Sequence, residues 1–306
     1  MIELRHLRYA VAVAEERHIT RAAERLGLQQ PPLSQQIKAL EDQLGVTLFH
    51  RLSRGVIPTA AGEAFVARAR AILTDVDNAV EAARRSSRGE EGRLAIGFTG
   101  SAAFHPLVTG VVRELRDRAP LLKLTLEEAN SSVAFEALRA GRLDAAFVRA
   151  LPEAPEGVSA RHLLDEDMLV AFPDSHPLLE GWPENQRRPL AALTQATFIL
   201  YHRPSGAGLY DAIIAACDKA GFSPRVGQEA TQMISTLSLV AAGLGISIVP
   251  VSMARLGTTG ISYRRLKQEE GLSAPLFLIW RPGEESGPLA RLLADVRRYN
   301  QAMGSR

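Results

Sequence analysis

Cysteine is almost absent: Cys217 stands alone among 306 residues. One thiol closes no internal disulfide and builds no multi-cysteine metal cluster, and such scarcity fits a reducing cytoplasm. No run of 18 or more apolar residues exists, which argues against a membrane-spanning helix. The opening Met1-Ile2-Glu3-Leu4-Arg5 lacks the basic stretch and apolar run of a secretory leader, so the chain reads as cytoplasmic. Lysine is scarce as well, with Lys38, Lys123, Lys219 and Lys267 the four among 36 basic residues. The remaining cations are arginines scattered along the chain, as GC-rich coding would leave them. Catalytic signatures are missing too. There is no Gly-x-Ser-x-Gly elbow and no His-Glu-x-x-His. Gly206-Ala207-Gly208-Leu209-Tyr210-Asp211 places Asp where a dinucleotide fingerprint needs its third glycine, and Gly243-Leu244-Gly245 precedes a strand. An enzyme is not expected, nor a cofactor or metal.

What is present is a globular mixture, 46% apolar and 23% charged, long enough for two or more domains. The first 45 residues read as three short helices. Leu4, Leu7, Val11 and Ala14 form one apolar stripe. Thr20 is placed to cap a second helix whose inward residues are Ile19, Ala22, Ala23 and Leu26, with Gly27 as its stop. A third starts at Pro31-Pro32, buries Leu33, Ile37, Leu40 and Leu44, and ends at Gly45. The short joint between the second and third is helix-turn-helix spacing. Val46 to Pro58 follows as two β-rich runs around Ser53-Arg54-Gly55, a small hairpin or wing. From Thr59 a helix of roughly 40 Å carries Phe65, Ala69, Ile72, Val76, Ala79 and Ala83 as a coiled-coil seam. Its partner is its own domain or, the better fit to that length, a second copy. Ser86 to Gly92 reads as a polar linker. Beyond it, strands at Leu94–Phe98, Leu121–Glu127, Asp144–Val148, Met168–Phe172, Phe198–Tyr201, Arg225–Glu229 and Gly245–Pro250 alternate with helices near 103–118, 133–140, 209–220 and 234–242. That alternation predicts parallel α/β layers covered on both faces, and the length predicts two lobes with a cleft.

Chemistry concentrates in two places. With its apolar residues turned inward, the third helix presents Ser34, Gln35 and Lys38 near its start, with Gln30 just before. Glutamine pairs with adenine edges, serine serves several bases, lysine meets phosphate, and Pro31 and Pro32 offer apolar surface to a thymine methyl. Arg51 and Arg54 on the wing suit a minor-groove or phosphate contact. The bland alternative is a solvated helical face, but helix and wing together favour DNA. Residues 1–72 carry ten basic and seven acidic residues, a mild surplus that agrees without deciding. The second place is the turns Thr99-Gly100-Ser101 and Asn130-Ser131-Ser132, which offer hydroxyls and helix N-terminal amides to a carboxylate. Tyr201 to Gly208 leads into another helix with small residues. Helix capping is the plain alternative for the serines, and a structural ion pair the equal alternative for Arg149 as partner of an anion. Of the seven dispersed histidines, His105 and His202 are the two within reach of a cleft, with a core or surface role the simpler reading. Cys217 reads as an apolar filler rather than a redox sensor.

Leu7-Arg8-Tyr9, Thr20-Arg21-Ala22-Ala23-Glu24-Arg25-Leu26, Gln30-Pro31-Pro32-Leu33-Ser34-Gln35-Gln36-Ile37, Leu40-Glu41-Asp42-Gln43-Leu44-Gly45, Leu48-Phe49-His50-Arg51 and Thr59-Ala60-Ala61-Gly62 resemble the signature of LysR-type transcriptional regulators. Ala140 to Asp144 and Ala241 to Pro250 resemble that family's effector domain. The opening Glu3 to Tyr9 and the double proline look most like the branch answering to muconate, benzoate or chlorocatechol intermediates. The resemblance implies an α+β multi-domain chain: a winged helix-turn-helix over 1–58, a dimerising linker helix over 59–88, and over 89–306 a two-lobed α/β effector domain like the type 2 periplasmic binding proteins. Lobe I is expected near 93–163 and 267–306, lobe II near 164–266. It further implies DNA contacts by Thr20, Arg21, Gln30, Pro31, Pro32, Ser34, Gln35, Lys38, Arg51 and Arg54. Effector contacts are implied for Thr99, Gly100, Ser101, Asn130, Ser131, Arg149, Tyr201, Ala207, Gly208 and Leu209. Gln35 departs from the arginine frequent in that branch, and Leu209 from a bulky aromatic. The expected partners are double-stranded DNA carrying an interrupted inverted repeat, a small anionic effector (an aromatic acid or dicarboxylate), further copies in a dimer or a tetramer of two dimers, and RNA polymerase. The competing readings are a small-molecule binding protein or an enzyme with an accessory helical domain.

Overall fold

A computed structural model describes residues 1–52, 55–152, 156–268 and 272–304, and of 203–207, 303 and 304 the backbone alone. Contacts along the chain divide it into two units, Met1–Arg85 and Ser86–Arg306.

In the first unit α1 (Leu4–Glu16), α2 (Ile19–Arg25) and α3 (Gln30–Leu44) precede the antiparallel hairpin β1 (Phe49–Leu52) and β2 (Gly55–Pro58), whose register pairs Phe49 with Pro58 and Leu52 with Gly55. Arg54, the second wing cation, lies outside the described residues. The core joins Val13, Ala22, Ala23, Leu33, Ile37, Leu40, Leu48, Val56 and Val66. Two details depart from the sequence reading. The buried face of α1 runs through Leu7, Ala10 and Val13, while Leu4 is exposed and Val11 and Ala14 half-buried. Alanine carries little pattern signal, yet small side chains are what let α1 and α2 approach closely. The N-cap of α2 is His18 rather than Thr20, which lies inside the first turn with its side chain exposed. Gly27 and Gly45 adopt φ of 67° and 69°, the left-handed ends expected of helix stops.

The long helix α4 spans Ala60–Ser87. Thr59 starts it, its Oγ1 accepting from Gly62 N at 2.9 Å and donating to Thr47 O at 2.7 Å. Because α4 includes Ser86 and Ser87, the linker reduces to residues 88–90 before β3 begins at Glu91. Along the expected seam Ala69 is buried and Phe65 and Val76 half-buried, but Ile72, Ala79 and Ala83 are exposed.

The second unit is built on β3 (Glu91–Phe98), α5 (Pro106–Arg118), β4 (Leu121–Glu128), α6 (Ser131–Arg139), β5 (Ala145–Val148) and β6 (Ser159–Pro173). It continues with β7 (Thr197–Tyr201), α7 (Arg203–Lys219), β8 (Arg225–Ala230), α8 (Met233–Ala241), β9 (Ser247–Pro250), β10 (Ile261–Arg265), β11 (Ser273–Trp280) and α9 (Gly287–Gly304). Period-two alternation sorts side chains cleanly in lobe I. Leu94 and Ile96 of β3, Ala145 and Phe147 of β5, and Leu276 and Leu278 of β11 face α5 and α9 residues such as Leu107, Val111, Leu292 and Val296. Ala95, Ala146, Val148 and Ile279 face Ala134, Ala137 and Leu138 of α6. The layer is therefore covered on both faces, as expected.

The expectation of parallel sheets is corrected in part, since β7 and β8 do pair in parallel. β3 is parallel to β4 and β5, but β11 runs antiparallel to β5 and β6, and β6 runs antiparallel to β9 and β10. The cause is the chain's double crossing between lobes. β6, expected only over 168–172, is one strand of 15 residues whose first part pairs β11 and whose last part pairs β9 and β10. Lobe II centres on Phe172, Trp182, Phe198, Ile199, Leu200, Leu237 and Val249, with Cys217 fully enclosed among them. Burial pushes that thiol's pKa up to about 12, so it stays protonated near neutrality and packs as an apolar group. The helix expected over 103–118 breaks into a 3-10 turn at Ala102–Phe104 and α5, because His105 precedes Pro106 and takes an extended backbone.

Candidate functional site

On the first unit the N-terminal half of α3 is an open polar edge. Gln30, Pro31, Pro32, Gln35 and Lys38 are exposed and Ser34 half-buried. Pro31, Gln35 and Lys38 follow i, i+4, i+7 and so share one face. Leu33, Ile37 and Leu40 anchor the opposite face in the core. Arg51 leaves β1 and donates from Nη2 to Ser34 Oγ at 3.0 Å, bringing the wing and the helix edge into one surface. Glu41 reinforces this: its Oε1 accepts from Leu48 N at 2.7 Å and Phe49 N at 3.0 Å, pinning the start of the hairpin to α3. Arg21 is engaged locally, donating to Glu16 O at 2.7 Å. Arg25 and Arg70 share Glu15, whose carboxyl is held below its usual pKa chiefly by the hydrogen bond from Arg25. Exposed polar side chains on α3 thus stand beside a wing cation, while the neighbouring arginines are spent on ion pairs.

In the second unit a narrow cleft, with about 20 Å³ of open space inside it, lies between the lobes. Lobe I contributes Thr99, Gly100, Ser101, Ser131, Arg149 and Ala150; lobe II contributes Tyr201, Gly208, Leu209 and Met233. Eight of the ten expected residues line it. Asn130 does not, because its Oδ1 accepts from Val133 N at 2.9 Å and caps α6. That cap frees Ser131, the first residue of α6, from the capping role considered for it. Ala207 sits in α7, its side chain outside the described residues. Ala150 and Met233 escaped the sequence reading, since neither residue type carries a polar signal.

Helix N-termini converge here: Ser131 opens α6 and Met233 opens α8. Their unpaired amides and dipoles favour negative charge. Thr99 is buried, and its Oγ1 has no hydrogen-bond partner among the described residues. Leu209, Met233 and Ala150 supply apolar wall. Gly208 lets the lobes meet, since a Cβ there would come within 2.4 Å of Ala150 Cβ and 3.3 Å of Arg149 O.

Arg149 lines the cavity yet is already engaged. It donates to Ser101 Oγ and O at 3.3 Å each, to Ala274 O at 2.9 Å and to Glu166 Oε2 at 2.6 Å. Glu166 in turn accepts from Ser252 N at 2.5 Å. Burial lowers the guanidinium pKa, and Glu166 opposes the shift. Of the two roles open for Arg149, the ion pair is the one the geometry displays. Glu166 went unnoticed because one carboxylate within a strand has no local pattern. Neither His105 nor His202 lines the cavity. His105 Nδ1 accepts from Leu107 N at 3.2 Å, and burial chiefly depresses the ring's pKa. His202 faces Glu229 at 3.6 Å. Among the described residues no group of three His, Cys, Asp or Glu is arranged to hold a metal ion, and no helix is long and apolar enough to cross a membrane.

Comparisons with known proteins agree with both halves. Residues 4–63 match the model for the bacterial regulatory helix-turn-helix protein, lysR family, and residues 87–300 that for the LysR substrate binding domain. The HTH-type transcriptional regulator YnfL of Escherichia coli (strain K12) is 40% identical over 292 residues, 95% of this chain and 96% of its own. BenM of Acinetobacter baylyi is 34% identical over 296 residues, 97% of this chain and 95% of its own. The fold is similar to that of CbnR, a LysR family transcriptional regulator, with a TM-score of 0.86 at 31% identity, covering 97% of this chain and all of that one. CbnR complexed with its target DNA gives 0.84 at 29%, covering 98% and 100%. The BenM effector binding domain with its effector benzoate gives 0.61 at 27%, covering 69% and 93%. These relatives are regulators, which leaves the enzyme and solute-binding readings without support. The likeness to the aromatic branch is weaker than that to YnfL.

Proposed function

The chain belongs to the LysR family of transcriptional regulators, and from that premise we propose which residues read DNA and what the cleft senses. It is a DNA-binding regulator with an effector-binding domain rather than an enzyme. In our reading the start of α3 enters the major groove, where Gln30, Pro31, Pro32, Ser34 and Gln35 meet base edges and Lys38 a phosphate. Arg51 meets the flanking backbone, with Thr20, Arg21 and Arg54 as outlying contacts. The exposed Ile72, Ala79 and Ala83 of α4 are covered by the same helix of a second copy, so the operator is an interrupted inverted repeat. Two such dimers form a tetramer that works with RNA polymerase in the bacterial cytoplasm.

The cleft takes a small carboxylate, an aromatic acid or a dicarboxylate, and the ligand shifts the lobes by its difference in affinity between their arrangements. The observation that carries this is the buried, unpartnered Thr99 hydroxyl beside the free Ser131 at the mouth of α6. The benzoate held by the BenM domain, together with the apolar Leu209 and Met233, supports the aromatic member of the pair.

Two substitutions test the DNA half. Arg51→Ala should weaken binding to every sequence and shallow the salt dependence by about one counterion. Gln35→Ala should relax preference at particular base positions, costing about 1–3 kcal/mol there. Affinities measured over a salt series decide: an unchanged slope removes Arg51 from the interface, and a uniform loss for Gln35→Ala removes direct readout. Titration calorimetry of the full-length protein with benzoate and with muconate tests the cleft, and Ser131→Ala should weaken whichever binds without altering operator affinity.

A further inference from the structure

We infer that Arg17 is a further contact between the DNA-binding unit and the phosphate backbone, held beside the wing by a strained corner of its own main chain. This rests on the reading of the wing as a DNA-contacting element and extends it to the second edge of the hairpin. Arg17 directly follows α1 and takes φ 50° and ψ 24°, in the left-handed region. It is the one non-glycine residue to do so among those described. Glycine fills such a helix end at no steric cost, whereas a side chain there adds strain. An arginine in this place costs stability, and an outlier of that kind points to a use for the side chain.

The corner fixes where that side chain starts. Arg17 N donates to Val13 O at 3.0 Å and closes α1, while Arg17 O accepts from Val56 N of β2, also at 3.0 Å. Val56 pairs across the hairpin with Arg51 of β1. With neighbouring strands about 5 Å apart, Arg51 and Arg17 flank β2 with their backbones about 10 Å from each other. Gly55 keeps the approach close, since a Cβ on it would come within 2.5 Å of Arg17 O.

The charge is also available. The two acids that precede Arg17 are held by other arginines: Glu15 by Arg25 at 2.8 Å and Arg70 at 3.1 Å, and Glu16 by Arg25 at 3.2 Å. Arg17 itself is exposed, and its guanidinium has no ion pair or hydrogen bond among the described residues. One edge of the hairpin thus carries Arg51 beside α3, and the other carries a cation whose donors are all free. Guanidinium donors in that state suit a phosphate oxygen, and the separation gives each arginine its own phosphate.

Three variants of the full-length protein test this. Arg17→Gly and Arg17→Asn suit the left-handed corner and remove the charge, whereas Arg17→Lys keeps it. Hydrogen exchange of the segment containing Val56 should be at least as slow in Arg17→Gly as in the native protein. Affinity of both neutral variants should nonetheless fall about threefold to tenfold at low salt. That loss should be equal on a duplex from upstream of the gene and on an unrelated duplex. Across a salt series the slope of log K against log salt should shallow by about 0.9, and Arg17→Lys should retain the native slope. A native slope in the neutral variants, with a shallower one in Arg51→Ala, overturns the assignment of Arg17 alone. Native slopes in all of them overturn the wing reading and this inference with it. Faster exchange at Val56 in both neutral variants makes Arg17 a prop of the corner and likewise overturns its role as a contact.

Discussion

Replacing Glu166 by Ala is expected to cost the effector-binding unit about 3–5 kcal/mol, because it strands a buried guanidinium without its counter-charge. Arg149 is 3% exposed and Glu166 4%, and the pair ties separate segments together: Ser101 and Ala274 O hold the arginine, and Ser252 N holds the glutamate. The loss exceeds what a surface ion pair would yield, about 0–1 kcal/mol, since water cannot replace the missing carboxylate. Removing both partners has a different outcome. Arg149→Met combined with Glu166→Leu should recover most of the stability, because desolvating two charges offsets most of their attraction. Trp182 and Trp280 both lie in this unit, so tryptophan fluorescence during urea unfolding reports on it directly. A cost below 1 kcal/mol for Glu166→Ala, or a double variant as damaged as the single losses combined, would show that the pair is not what ties these segments.

Gly62→Ala should weaken operator binding at least about tenfold while leaving that fluorescence transition in place. In an exposed helix the change would gain about 1 kcal/mol in helix propensity. At this position the new methyl would stand 1.9 Å from the Leu48 carbonyl oxygen, a rigid backbone atom. The first turn of α4 must therefore lift from the segment leading into β1, and overpacking of this kind costs about 1–3 kcal/mol or more. The displacement reaches the DNA surface because Leu48 N and Phe49 N are the groups Glu41 fixes to α3. Binding to an operator fragment should fall at least about tenfold, which is about 1.4 kcal/mol. Retention of full affinity would mean that the hairpin tolerates the shift and that Glu41 does not couple it to α3.

The later helices of the first unit were legible because their punctuation is in the sequence: Gly27 after α2, prolines at the start of α3 and Gly45 at its end, Thr59 ahead of α4. The phase of α1 was not, since Ala10 and Ala12 bury completely without registering as apolar signals. β11 hid behind Pro275, which argues against a central strand. The sheet absorbs it where the register shifts, between Leu276 and Phe277. β6 hid because its first half, Ser159-Ala160-Arg161-His162-Leu163-Leu164-Asp165-Glu166-Asp167, lacks the period-two apolar alternation that marks a strand. The cleft turns were visible as Thr-Gly-Ser and Asn-Ser-Ser, short hydroxyl-rich segments following strands. The group that neutralises Arg149 was not: Glu166 is 17 residues from it in sequence and meets it only through the sheet.

Footprinting of the full-length protein on the DNA upstream of its own gene, with and without the acid that calorimetry selects, tests the account most directly. The account predicts two protected patches of inverted sequence, spaced by whole turns of about 10 base pairs, whose outer boundary moves when the acid is added. Protection that ignores sequence, or a pattern indifferent to an acid the cleft demonstrably binds, would contradict it.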